Sequence, residues 1–161
     1  MLVADYKERI GSEIGVTDWK TIDQLRISIF AECTEDRQWI HTDSTRANRE
    51  SPFGAPVAHG FLTLSLLTYF QRQGGVFPSD AEAVLNYGLD SVRFLNPVRS
   101  GARIRNRTKL KSLDHRLPGE WRMTLSNTTE IEHEEKPAMI VDSVLLIIQD
   151  QKPDQSGGEM R

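Results

Sequence analysis

The second half of the chain alternates apolar and polar residues in long stretches that are separated by turn residues. The predicted strands cover residues 82–95, 102–113, 121–133 and 138–149. Asn96-Pro97 and Ser100-Gly101 separate the first strand from the second, and Pro118-Gly119 lies in the turn that follows. Because only short turns separate these strands, the pattern predicts an antiparallel meander.

The most apolar stretch runs from Ala58 to about Arg72 and ends at Gly74-Gly75. Its large side chains lie nearly all around a helix: Phe61, Leu62, Leu64, Leu66, Leu67, Tyr69 and Phe70. A helix that is apolar on all sides is normally buried. A buried helix followed by an antiparallel sheet predicts an α+β fold.

Shorter elements precede this helix. Thr21 as N-cap and Gln24 at N3 predict a helix from about 22 to 35, with Leu25, Ile29 and Phe30 on its apolar face. Residues 2–10 predict a short helix, residues 15–22 a loop or short extended piece, and residues 45–49 a short exposed helix. The segment 51–56 contains two prolines and a glycine, which predict an ordered loop.

The end of the chain predicts a core strand and then a tail. Residues 144–148 are apolar on both faces of a strand, so we expect them in the middle of the sheet, covered on both sides. Residues 150–161 are polar and predict a disordered tail. We therefore expect one domain over residues 1–149.

Composition narrows the class of protein. A chain of 161 residues is long enough for one domain with its own core, and a net charge of -3 argues against a general nucleic-acid binder. The chain has a single cysteine, Cys33, which excludes an intrachain disulfide. We expect Cys33 to be a small packing residue. No stretch approaches the ~20 apolar residues of a membrane span, and no secretory signal is present, so a cytoplasmic location is expected.

Candidate chemistry is concentrated between residues 36 and 61. Asp36, Gln38 and His41 place an acid, an amide and an imidazole within six positions, and Gly60 follows at the start of the apolar helix. On one regular helix, five steps of ~100° would leave Asp36 and His41 ~140° apart. They converge if the preceding helix ends near Asp36 and the chain bends back through residues 38–40.

The run from Phe30 to Asp43 resembles the Gly-Asp-x-Asn-Pro-x-His-x-Asp motif of the MaoC-like dehydratases, the (R)-specific enoyl-CoA hydratases. Residues 53–60 resemble the family's Pro-Ile-x-His-Gly segment, and residues 86–98 resemble its core strand. The resemblance covers roughly residues 10–149. Gln38-Trp39 in place of Asn-Pro is typical of the nodulation-protein-N-like branch, and Glu35 stands where glycine is usual.

The resemblance implies a hotdog fold, in which an antiparallel sheet wraps around the central helix, and a homodimer. It implies hydration of trans-2-enoyl-CoA to (R)-3-hydroxyacyl-CoA, with Asp36 and His41 as the catalytic pair and the Gly60 N–H as oxyanion donor. Coenzyme A is part of the substrate, and neither a separate cofactor nor a metal is implied. We expect the substrate to be contacted by Gln38, Phe53, Pro56, His59 and Phe61, with His59 also shaping the turn before Gly60.

Other interpretations stay open. A hotdog thioesterase and a non-catalytic acyl-CoA-binding accessory protein are the alternatives to a hydratase. A metal site could be built on His41, Asp43 and His59, but the sequence lacks the tight His/Cys cluster that is typical of such sites. Five cations share one face of a predicted strand without interleaved aromatic residues, which favours a solvated sheet face over a nucleic-acid or coenzyme A phosphate site: Arg103, Arg105, Arg107, Lys109 and Lys111.

Overall fold

The long strands form one antiparallel sheet in the computed structural model, which describes residues 1–149. The predicted disordered tail, residues 150–161, lies outside the described residues. The strands are β1 (Glu13–Val16), β2 (Lys20–Thr21), β3 (Ala81–Phe94), β4 (Arg103–Leu117), β5 (Glu120–Ile131) and β6 (Met139–Gln149). The four long strands are those predicted from the sequence.

The order of the strands is β1-β4-β5-β6-β3, and β2 also pairs with β4. The predicted meander is therefore right for β4, β5 and β6 but wrong for β3, which pairs with β6 and not with the next strand along the chain. The apolar residues 144–148 of β6 lie between β5 and β3, as expected for the middle of a sheet. Leu146 and Ile148 are only partly buried, so the second face is less covered than predicted.

A 3₁₀ helix, Val3–Arg9, and five α-helices complete the described fold. The α-helices are α1 (Gln24–Thr34), α2 (Trp39–Thr42), α3 (Ser44–Glu50), α4 (Gly60–Ser65) and α5 (Leu67–Gln73). Each is too short or too polar to cross a membrane within residues 1–149.

The predicted central helix is divided into α4 and α5 at Leu66. Hydrogen bonds from Leu66 N–H to Leu62 O and from Phe70 N–H to Leu66 O run across the break. Leu62 and Phe70 are buried, whereas Phe61 is 68% exposed. The expected burial on all sides was wrong, because the sheet covers only one side of the helix.

Helix α1 begins at a different cap from the one predicted. Asp23 accepts a hydrogen bond from Arg26 N–H (2.8 Å), while Thr21 belongs to β2. Ile27 and Ala31 are buried. Leu25 and Ile29, which were predicted for the apolar face of α1, are exposed. Cys33, which was predicted to pack, is exposed as well.

The orientation of α1 depends on a contact with a later segment of the chain. The Gln24 side-chain amide donates to the backbone oxygen of His41 (2.7 Å). This contact turns the side that carries Gln24, Ile27 and Ala31 toward the rest of the protein, because these positions share one helical face.

A layer of polar side chains is buried between α5 and the inner face of the sheet. We call it the buried polar layer, and its members are Gln71, Asn106, Thr108, Asn127, Thr129 and Ser143, all at most 3% exposed. Asn127 is its centre: Oδ1 accepts from the side chains of Asn106 and Thr108 (both 3.1 Å), and Nδ2 donates to Ser143 Oγ (3.0 Å). Buried polar groups that satisfy each other in this way fix one packing arrangement.

The basic stripe on β4 does alternate as predicted, with Ile104 and Leu110 buried between its members. Four of its five cations pair with carboxylates in or beside neighbouring strands: Arg103–Glu132, Arg105–Glu130, Arg107–Glu13, Arg107–Glu130 and Lys111–Asp142. These ion pairs favour the solvated sheet face over a phosphate site.

Candidate active site

The end of α1 bends the chain so that Asp36 and His41 meet. Glu35 caps the helix in the left-handed conformation (φ 61°, ψ 11°), and α2 begins four residues later at Trp39. His41 N–H then donates to Gln38 O (2.9 Å). The helix ends near Asp36 as predicted, but the chain turns at residues 35–38, and residues 39 and 40 already belong to α2.

The conformation of Glu35 explains why glycine suits this position. A residue with a Cβ pays a steric penalty in the left-handed region that glycine does not pay. We expect Glu35→Gly to raise the free energy of unfolding by about 1 kcal/mol, a gain that chemical denaturation would measure. Thr34→Gly, at the last residue of α1, is the control and should lower the free energy of unfolding by roughly 0.3–0.5 kcal/mol. Equal losses in both variants would contradict the strain at Glu35.

His41 is held as the tautomer that a general base needs. Its Nδ1–H donates to the backbone oxygen of Val57 (2.6 Å). A carbonyl can only accept, so the neutral ring carries its lone pair on Nε2. Burial lowers the pKa of His41, and His59 lowers it further, while the hydrogen bond to Val57 and the charge of Asp36 oppose the shift.

His59 lies against His41 in a way the sequence did not reveal. The two rings stack with centroids 3.7 Å apart, and His59 is 3% exposed. Its Nε2–H donates to the backbone oxygen of Asp36 (2.9 Å). In the sequence this residue is marked by its place in the segment that resembles the Pro-Ile-x-His-Gly motif, which gives no indication of the stack.

Gly60 is the first residue of α4, so its N–H has no acceptor within the helix. A Cβ at this position would lie 3.1 Å from the ring of Phe94. A side chain here would press on the Phe94 ring by a few tenths of an ångström, so the close packing of Phe94 favours glycine at this position. The helix N-terminus offers a free donor and positive dipole character at this point.

A pocket of about 340 Å³ opens beside Gly60 and Val57. Its described lining is Ile40, Phe53, Val57, Ala58, Gly60, Thr63, Phe94, Leu95, Asn96, Pro97, Val98 and Ala138. The sequence pointed to Phe53 and Gly60 but missed the contribution of residues 94–98. These come from the end of β3, and only the tertiary fold brings them to the helix.

The other predicted substrate contacts lie differently. Pro56 is buried under its loop and accepts from Ser100 N–H (2.8 Å), while Phe61 is exposed and packs edge-on against Phe94 (5.9 Å). Gln38 is exposed at the start of α2. None of these three residues belongs to the described lining of the pocket. Their contact with the substrate stays a prediction.

Trp39, which stands in place of the motif proline, has a structural contact. The guanidinium of Arg46 lies 4.2 Å from the centre of its ring. This cation–π contact joins α2 to α3 and gives the short helix that carries His41 a second anchor.

The site has metal-binding residue types but an unsuitable geometry. One N or O atom of each of Asp36, His41 and His59 lies within 4.8 Å of the others, whereas Asp43 caps α3. An ion bound at about 2.1 Å needs lone pairs that converge on it. The stacked imidazoles are only 26° from parallel, which favours acid–base chemistry. The absence of a metal remains a prediction.

Known proteins match this chain over most of its length. Residues 5–134 match the MaoC like domain. Nodulation protein N of Rhizobium leguminosarum bv. viciae is 43% identical over 145 residues, which cover 90% of each chain. The 3-hydroxyacyl-thioester dehydratase Z of Mycobacterium tuberculosis is 40% identical over 143 residues, which cover 89% of this chain and 93% of that one.

Solved structures show the same fold. The (R)-hydratase from A. caviae superposes with a TM-score of 0.67 at 22% identity and covers 84% of this chain and 96% of that chain. A monoamine oxidase regulatory protein from Archaeoglobus fulgius gives a TM-score of 0.72 at 25% identity, covering 88% and 91%. The predicted hotdog arrangement is therefore confirmed.

Proposed function

Because this chain belongs to the MaoC-like dehydratase family, we propose that it catalyses the reversible hydration of a trans-2-enoyl-CoA to the (R)-3-hydroxyacyl-CoA. The observation that carries the proposal is the meeting of Asp36 and His41 at the bend after α1. An acid and a base that lie this close can hold one water between them, remove one of its protons and deliver a proton to the substrate.

The proposed steps follow from the tautomer of His41 and from the nearness of Asp36. His41 Nε2 removes a proton from the water as its oxygen forms a bond to C3 of the substrate. The Asp36 carboxylate takes that proton from His41 and passes it to C2, which leaves both groups as they began. The Gly60 N–H stabilises the enolate oxygen of the thioester, a type of contact that is typically worth about 10²–10³ in rate.

The proposal is tested by loss of the conjugated enoyl-thioester absorbance with crotonyl-CoA and a longer enoyl-CoA. A parallel assay for free thiol separates hydration from thioester hydrolysis. We expect absorbance loss without thiol release. Thiol release would instead identify a thioesterase, and binding without either reaction would identify an accessory protein.

The sheet edge at β3 supports a homodimer. Within residues 1–149, β3 pairs only with β6, and its other edge carries exposed apolar side chains at Leu85, Tyr87 and Leu89. Long apolar edges of this kind are normally covered. We propose that a second copy covers the edge, and light scattering should give about twice 18.3 kDa.

A double variant tests the position of this interface. Leu85→Lys with Leu89→Lys should give a monomer, because two charges would then lie along the paired edge. Leu117→Lys, at the exposed end of β4, is the control and should leave the mass unchanged. A dimer that persists in the double variant would place the interface elsewhere.

Coenzyme A enters this proposal only as part of the substrate, and we propose no separate cofactor. The cytoplasmic location stays a prediction from the sequence.

A further inference from the structure

We propose that His59 is a positioning residue that holds Asp36, His41 and Gly60 in one arrangement. The inference rests on the proposed hydratase function and extends it. It also changes the role expected for His59 from the sequence, because His59 acts on the catalytic groups and not on the substrate.

One residue contacts all three parts of the proposed site. The His59 Nε2–H donates to the backbone oxygen of Asp36 (2.9 Å) and fixes the loop that carries the acid. Its ring stacks on His41 at 3.7 Å, and Phe30 packs against the same ring at 5.1 Å. As the N-cap of α4, His59 also directly precedes Gly60.

The second ring nitrogen of His59 indicates that packing alone does not explain the residue. Within residues 1–149 its Nδ1 is buried and has no hydrogen-bond partner. Leaving a buried acceptor unpaired destabilises a folded protein. An apolar side chain of the same size would fill this space without an unpaired nitrogen. The imidazole therefore contributes through its other contacts, the hydrogen bond to Asp36 O and the stack on His41.

The stack also restricts the charge of the pair. Two protonated imidazoles 3.7 Å apart would repel each other strongly in a buried site, so both rings are not charged together. The ionisable groups that act on His41 are His59, from the loop before α4, and Asp36, from the loop after α1. Burial lowers the pKa of His41 the most, and the nearby His59 lowers it further, so the pKa lies below its ordinary value.

Two variants separate the hydrogen bond from the stack. His59→Phe keeps an aromatic ring against His41 but cannot donate to Asp36 O. His59→Gln keeps an N–H donor but has no ring. His133→Gln, at an exposed turn position, is the matched control.

We expect kcat on crotonyl-CoA to fall by up to about 10²-fold in both variants, because small displacements of catalytic groups cost this much. KM should stay within about threefold, since His59 does not touch the substrate. The acid limb of the pH–kcat/KM profile should move to higher pH in both, because the repulsion from His59 is gone. Thermal unfolding checks that each variant is folded.

The His41 titration is followed by NMR in substrate-free protein, so the result does not depend on turnover. Its midpoint should rise in His59→Phe and in His59→Gln but not in His133→Gln. Unchanged titration and kcat in both variants would overturn the proposal. A rise in KM alone would return His59 to substrate binding, and if His59→Phe does not fold, His59→Gln decides. If the wild type shows no turnover, the proposed function is contradicted. The titration of His41 still tests the role of His59 in that case, because it is measured without substrate.

Discussion

Replacing His41 by alanine or Asp36 by asparagine is expected to lower kcat/KM for an enoyl-CoA by about 10²–10⁴-fold, the usual contribution of a positioned acid or base. In the proposed mechanism His41 Nε2 removes the water proton, and alanine has no group that could do so. Asp36→Asn keeps the shape of the side chain but could not deliver a proton to C2. Because the proposal has both groups act on the same water, the double variant should be little worse than either single one.

The measurement is the initial rate of enoyl-thioester absorbance loss, with thermal unfolding of each variant beside it. His115→Ala and Asp114→Asn change the same residue types at exposed positions of β4 and should leave the rate unchanged. Asp36 is exposed, so its replacement should not unfold the protein. Activity within about threefold of wild type in Asp36→Asn would show that the pair does not do this chemistry.

Asn127→Leu is expected to cause the largest loss of stability. Asn127 is fully buried at the centre of the buried polar layer. Leucine would leave the amide of Asn106 and the hydroxyls of Thr108 and Ser143 without the partner they share. Asn106 and Thr108 keep the hydrogen bond between them, and Ser143 keeps the one from Gln71. Each of the three therefore loses one buried hydrogen bond, at about 1 kcal/mol apiece, so we expect a loss of about 3 kcal/mol.

Urea unfolding measures this loss, and the Tm should fall by roughly 6–12 °C. Thr128→Val changes the next residue of β5, whose side chain is on the opposite face, and should stay within about 0.5 kcal/mol. Equal stability of the two variants would mean that the buried polar layer does not hold α5 on the sheet.

Several features of the fold and site could be predicted because they depend on local sequence. Alternation over 10 or more residues marked the long strands, and the turn residues between them marked their ends. The loss of helical pattern near Asp36 predicted the bend that brings it to His41. The left-handed Glu35 is the local event that produces this bend.

Other features could not be predicted because they depend on partners far away in the chain. Leu25 and Ile29 have the spacing of a buried face, but the contact between Gln24 and His41 O turns a different face inward. The pairing of β3 with β6 joins strands about 50 residues apart, and no local pattern selects that partner. The stacking of His59 on His41 joins two segments of the chain, and no local pattern in the sequence indicates it.

By itself the sequence determined the strands, the apolar helix and the pair Asp36 and His41, because periodicity, turn residues and a motif act over a few neighbouring positions. The tertiary structure alone decided the tautomer of His41, the place of His59 and the wall of residues 94–98 beside Gly60. These features depend on distances of about 3–6 Å between separate segments. Such distances are set only when α4 and the sheet pack together.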